Sequence, residues 1–137
     1  MAEHIVHNAP RPDLILCSTA VRTRQTLAPL VHRLTNPAPP IALEKGLYLA
    51  SEDALLARLR AVGDAIRTVL LIGHNEGIGA LAAGLAGKGD FATLAALHEK
   101  YPTGALATLR IAEGPWHGLA LGSAELLAFV RPRDLKD

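Results

Sequence analysis

Two short runs without a polar residue constrain this chain most. Leu14-Ile15-Leu16-Cys17, entered through Asp13, and Val69-Leu70-Leu71-Ile72 are continuously apolar instead of alternating. Alternation marks a strand with one wet face, whereas an unbroken run of four or five marks a strand covered on both faces, as in a parallel sheet. Each run stops at a polar junction, Ser18-Thr19-Ala20-Val21-Arg22 after the first and Gly73-His74-Asn75-Glu76-Gly77 after the second.

The segments between these runs have helical character. Leu27, Leu30, Val31 and Leu34 recur at the i, i+3, i+4, i+7 spacing of one helix face. The connector Asn36-Pro37-Ala38-Pro39-Pro40 leads to an expected edge strand near 41–43. Ser51 reads as an N-cap, with Glu52 and Asp53 complementing the dipole of a helix that carries Leu55, Leu56, Leu59 and Val62 and ends near Gly63. Ile78, Leu81, Ala82 and Leu85 line the next helix, closed by Gly87 and Gly89. Residues 104–111 are expected to form a strand, and 119–130 a strand pair around Gly122-Ser123. Alternating strands and helices predict an α/β fold: a mostly parallel sheet with helices on both faces, its last strands added antiparallel.

At 137 residues the chain suffices for one domain spanning 1–137. A net charge of +1 supplies no field for steering nucleic acid. No apolar run reaches the length of about 18 residues that a membrane span needs, and the start does not read as a signal peptide. The single cysteine, Cys17, ends an apolar run, so a buried thiol and a cytoplasmic location are expected.

The two junctions hold the candidate chemistry. A Ser or Thr at 18–19 can cap the following helix, whose free N–H groups favour an anion. Arg22, in its first turn, offers a planar fork of donors matched to phosphate oxygens. His74 follows a buried strand directly, and ligands of open α/β sheets gather at such carboxyl ends, so Arg22 and His74 are expected at one crevice. The competing reading is two helix caps with solvated arginines. His4 and His7 stand three apart without further ligands nearby, and His32 and His117 read as surface residues. His98-Glu99-Lys100 precedes a turn-rich loop, Tyr101-Pro102-Thr103-Gly104, that can cover the crevice. No spacing supports a catalytic metal, and no cofactor is expected.

Several segments, in order along nearly the whole chain, resemble the histidine phosphatase superfamily, with its phosphoglycerate mutase-like fold, and within it the SixA-like phosphohistidine phosphatases. They are Arg11-Pro12-Asp13 through Ser18, Ala20-x-Arg22-Thr23-Arg24-x-Thr26, Gly46-Leu47-Tyr48, Gly73-His74-Asn75, Pro102-Thr103-Gly104-Ala105 and Phe129-Val130-x-Pro132-Arg133. The resemblance implies a hydrolase in which a histidine attacks phosphorus and water releases the phosphate. It also implies that Arg22 and His74 hold the phosphoryl oxygens, with Ser18 beside them. The implied substrate is a phosphohistidine-containing protein or a small phosphorylated molecule. No inserted acidic loop serves an alkoxide leaving group, which favours the phosphohistidine branch.

That family carries its attacking histidine in an Arg-His-Gly or Arg-His-Ala motif after its first strand, and neither tripeptide occurs in this sequence. Met1 to Val6 matches the end of the family's first helix. The chain is therefore expected to be N-terminally shortened, lacking the first strand, which belongs beside the strand ending at Gly73. Three readings remain open: a phosphatase whose nucleophile lies outside these residues, a non-catalytic phosphate- or phosphoprotein-binding module of the same fold, and an α/β domain stabilised by partners in which both junctions serve as helix caps.

Overall fold

A computed structural model describes residues 1–35 and 37–135. It has the expected α/β character, with five α-helices and a parallel sheet. The chain divides into two compact units.

The first unit comprises Ala2–Ala50 and Gly63–His74. It contains helix α1 (Ala2–Asn8), strand β1 (Leu14–Ser18), helix α2 (Val21–Arg33), strand β2 (Ile41–Glu44), a 3-10 turn at Lys45–Leu47 and strand β3 (Val69–Ile72). The sheet order is β2-β1-β3, with both pairings parallel. Central position explains why β1 is the more completely buried strand: Ile15, Leu16, Cys17 and Ser18 are all buried. β3 is only half-buried, which corrects the expectation that it lies covered on both faces. Among the described residues no strand pairs with its outer edge. Leu27, Leu30 and Leu34 of the predicted helix face are buried, but Val31 is exposed. The apolar stripe is therefore narrower than its sequence spacing implied.

Asp13 sets the alignment of β1 against β3. Its carboxylate accepts the backbone N–H groups of Arg67 (3.1 Å) and Thr68 (3.0 Å), and its own N–H donates to Thr68 O (2.8 Å). The register that follows pairs Leu14 with Val69 and Cys17 with Ile72.

The second unit comprises Ser51–Val62 and the chain from Asn75 onward. It contains helices α3 (Glu52–Arg60) and α4 (Asn75–Leu85), strand β4 (Ala86–Gly89), helix α5 (Phe91–Glu99) and strands β5 (Leu106–Arg110) and β6 (Ala124–Val130). Ser51 caps α3 as expected, its Oγ accepting Ala54 N–H at 3.2 Å. The strands form a second sheet, β4-β6-β5, in which β4–β6 is parallel and β5–β6 antiparallel. The antiparallel pair expected at the end of the chain is present, but it belongs to this sheet and does not extend the first.

Two local expectations fail here. Residues 119–123 are not half of a strand pair: buried Leu119 follows a 3-10 turn at Trp116–Gly118, and Gly122 turns the chain at φ 75°. Gly87 and Gly89 do not simply end α4, because they belong to β4. Gly87 lies so close to its neighbour that an added Cβ would stand 1.9 Å from Gly122 O. In this unit Ala82, Leu97 and Leu126 form a core, against which Tyr101 and Phe129 pack.

Candidate functional site

Parallel pairing makes the carboxyl ends of β2, β1 and β3 point the same way, so the segments leaving them emerge together. From β1 comes Ser18 and then α2, with Arg22 as its second residue; from β3 comes His74; from β2 comes the 3-10 turn that leads to Tyr48.

Ser18 joins these junctions. Its Oγ lies 3.0 Å from His74 Nε2, linking the ends of β1 and β3, and accepts Ala20 N–H at 3.3 Å. Its carbonyl accepts Thr23 Oγ1–H at 2.8 Å, and Thr23 Oγ1 also lies 2.9 Å from Ala20 O. Thr23 is buried, so a polar side chain in the first turn of α2 fastens that turn to the end of the strand. Residue 20, not Ser18 or Thr19, is the N-cap, and no side chain caps the helix. Ser18 Oγ is shared between His74 and the N–H of Ala20, the N-cap residue itself, so the N-cap side chain does not cover the first N–H groups of α2. Arg22 is exposed at that start, and its carbonyl accepts Thr26 Oγ1–H at 3.2 Å.

Tyr48 is the residue to which sequence reading gave no role. Its ring stands edge-on to His74, centroid to centroid 5.2 Å, at an interplanar angle of 78°. The available signal was topological, since an aromatic just past a parallel strand shares its end of the sheet with whatever follows the neighbouring strands.

The other candidates belong to other elements. His4 and His7 are both in α1, where His4 Nδ1 is 3.4 Å from Asn8 Nδ2 and His7 is 4.0 Å from Glu3. His32, His98 and His117 are exposed on α2, on α5 and in the turn at Trp116–Gly118. Tyr101 lies in the turn-rich stretch expected at 101–104, and its ring is largely buried. It packs on Phe129, donates its hydroxyl to Ala105 O at 2.9 Å, and has its pKa pushed up to about 12 by burial. Cys17 is fully buried, and burial raises its pKa, so it is no ready nucleophile. Among the described residues no three His, Cys, Asp or Glu side chains form a metal-binding group.

Comparison with known proteins places this arrangement in context. No protein-family model matches the chain. An uncharacterized protein of Mycobacterium leprae (strain TN) is 37% identical over 127 residues, covering 92% of this chain and 75% of that protein. An uncharacterized protein of Mycobacterium tuberculosis is 39% identical over 128 residues, covering 92% and 77%. Among solved structures, a protein assigned as phosphohistidine phosphatase SixA from Nakamurella multipartitia superposes with a TM-score of 0.73 at 29% identity, covering 96% of this chain and 77% of that one. One so assigned from Agrobacterium tumefaciens gives 0.73 and 29%, covering 96% and 75%. The protein histidine phosphatase SixA complexed with tungstate gives 0.71 at 21% identity, over 98% and 78%, a likeness of fold.

Proposed function

We propose a phosphatase-type function for this chain, which belongs to the SixA-like branch of the histidine phosphatase superfamily and to one family with the mycobacterial relatives. Its substrate in this reading is a phosphohistidine carried on a protein. The observation that carries the reading is the Ser18–His74 hydrogen bond between neighbouring parallel strand ends, with Arg22 opening the helix that follows.

In this reading the phosphoryl group lies between the start of α2 and His74. Arg22 supplies a two-pronged, charged contact to its oxygens, and the uncapped N–H groups of α2 add a positive dipole end. His74, held by Ser18, donates to an equatorial oxygen, where charge spreads in the transition state. An attacking histidine forms the new N–P bond while the N–P bond to the substrate histidine breaks, and water then attacks to release inorganic phosphate. The 137 residues hold no Arg-His-Gly or Arg-His-Ala, and His4 and His7 sit on a helix ahead of β1. We assign the attacking histidine to sequence upstream in the same frame, on a strand beside β3.

The test compares the 137-residue chain with an upstream-extended chain on phosphohistidine. Turnover is expected from the extended chain and negligible turnover from the shorter one. Equal turnover by both would overturn this assignment of the nucleophile. An upstream stop codon, with phosphate binding retained, would make the chain a non-catalytic phosphate-binding module.

A further inference from the structure

The proposed phosphate-holding groups leave the turn after β2 without a task, although its conformation is costly. Leu49 has φ 49°, in the left-handed region, and is the one non-glycine residue with positive φ among the described residues. A branched aliphatic side chain is disfavoured there, and such strain persists only where the surroundings impose it. Leu47 anchors the turn by burial, and backbone bonds close it, Tyr48 N–H to Lys45 O (3.1 Å) and Ala50 N–H to Leu47 O (3.3 Å). The strain at Leu49 gains no burial there: Leu49 is 67% exposed, and its unstrained neighbour Tyr48 is 55% exposed. Its effect is to set Tyr48 against His74 while much of the phenol ring remains open to solvent.

We propose that Tyr48 determines the leaving-group specificity of this site, its ring receiving a flat, unsaturated ring attached to the phosphorus, as in a phosphorylated imidazole or an aryl phosphate. The inference rests on the reading of His74 as a phosphoryl-holding residue. A group bonded to phosphorus held at His74 projects within a few ångströms of that atom. Tyr48, 5.2 Å from the His74 ring, is therefore in range of the leaving group. The perpendicular contact with His74 uses only one edge or one face of the phenol, so ring surface is left for a second offset or edge-on partner. Alkyl and sugar leaving groups have no π-face to place there.

The experiment titrates phenylphosphonate and methylphosphonate, two phosphonates that differ in the attached group, into the 137-residue chain and its variants by calorimetry. Wild type is expected to prefer phenylphosphonate, with roughly three- to tenfold of that preference arising from the ring contact. Tyr48→Ala should bring the ratio of the two affinities down to the smaller preference that solvent exclusion alone gives, and Tyr48→Phe should restore it. Tyr48 also touches His74, so its loss can weaken phosphonate binding itself; taking the ratio cancels that effect. Arg22→Ala should weaken both ligands and preserve the ratio, which separates phosphate-holding from leaving-group recognition. An unchanged ratio in Tyr48→Ala, or none in wild type, would overturn the role of Tyr48 alone. Failure of wild type to bind either phosphonate would overturn the phosphate-holding reading beneath it.

Discussion

The hydroxyl of Ser18 meets Nε2 of His74 at 3.0 Å across 56 residues of sequence. Ser18 is wholly buried, so this bond ties two strand ends where water does not compete freely. Ser18→Ala removes the partner of His74 and also the acceptor of Ala20 N–H. His74 and Ala20 are only part-buried and can turn to water, so the expected loss is about 0.5–1.5 kcal/mol, the net worth of an ordinary hydrogen bond, read by urea denaturation. Phosphate affinity should fall with it, because the imidazole is no longer oriented.

Arg22 should behave in the opposite way. It is exposed, so Arg22→Ala is expected to change unfolding free energy by less than about 0.5 kcal/mol. Phosphate or vanadate binding should weaken by about 1.5–3 kcal/mol, the worth of a charged hydrogen-bonded contact. Arg22→Lys should recover part of this through charge but not the fork geometry. Calorimetric titration that finds unchanged affinity in the alanine variant would remove Arg22 from the site.

Gly87 tests packing in the second unit. A Cβ there would lie 1.9 Å from Gly122 O and 2.7 Å from Gly122 C, both backbone atoms that cannot rotate aside. Gly87→Ala should destabilise the protein by about 1–3 kcal/mol or more, as overpacking does. Gly63→Ala is the control, since nothing lies within 4 Å of its Cβ position. Its effect on a denaturation midpoint should be small by comparison.

Tyr101 predicts an alkaline limit. Burial holds its proton to about pH 12 in the folded chain, against an ordinary value of 10.0. Between these values the unfolded chain releases a proton that the folded chain keeps, so stability falls as pH rises. The contribution is intact below about pH 10 and is lost progressively toward pH 12. Tyr101→Phe should give up about 1 kcal/mol at neutral pH with the hydrogen bond to Ala105, and then show a shallower decline above pH 10. Equal slopes in a pH series of melting curves would contradict this.

The strand–helix junctions were readable because burial writes itself into sequence. A central strand such as β1 buries nearly every side chain and runs apolar as far as Cys17, so the residues that follow can be located at an end of the sheet. β4 was not readable: Ala86-Gly-Lys-Gly89 lacks β-forming residues and is a strand only through its pairing with β6. α5 went unassigned because its small apolar residues show no clear stripe, although Asp90, whose carboxylate accepts Thr93 N–H at 3.1 Å, was an available capping signal. The stretch from Leu119 misled because a buried leucine in a turn and one in a strand look alike in sequence. Ser18 and His74 could be placed at one crevice, but their direct bond depends on register, which an isolated sequence does not display.

That register is set at the opposite end of the strands, where Asp13 accepts two N–H groups from the chain entering β3. A strand advances about 3.3 Å per residue and hardly stretches, so five residues carry an alignment error at Asp13 undiminished over roughly 16 Å to Ser18. A slip of one residue would also reverse which face each side chain of β3 presents to its neighbour. The precision of the Ser18–His74 contact is thus inherited from a remote carboxylate that touches neither residue. Asp13 works as the stop against which the rule is laid, and the measurement is read at the other end.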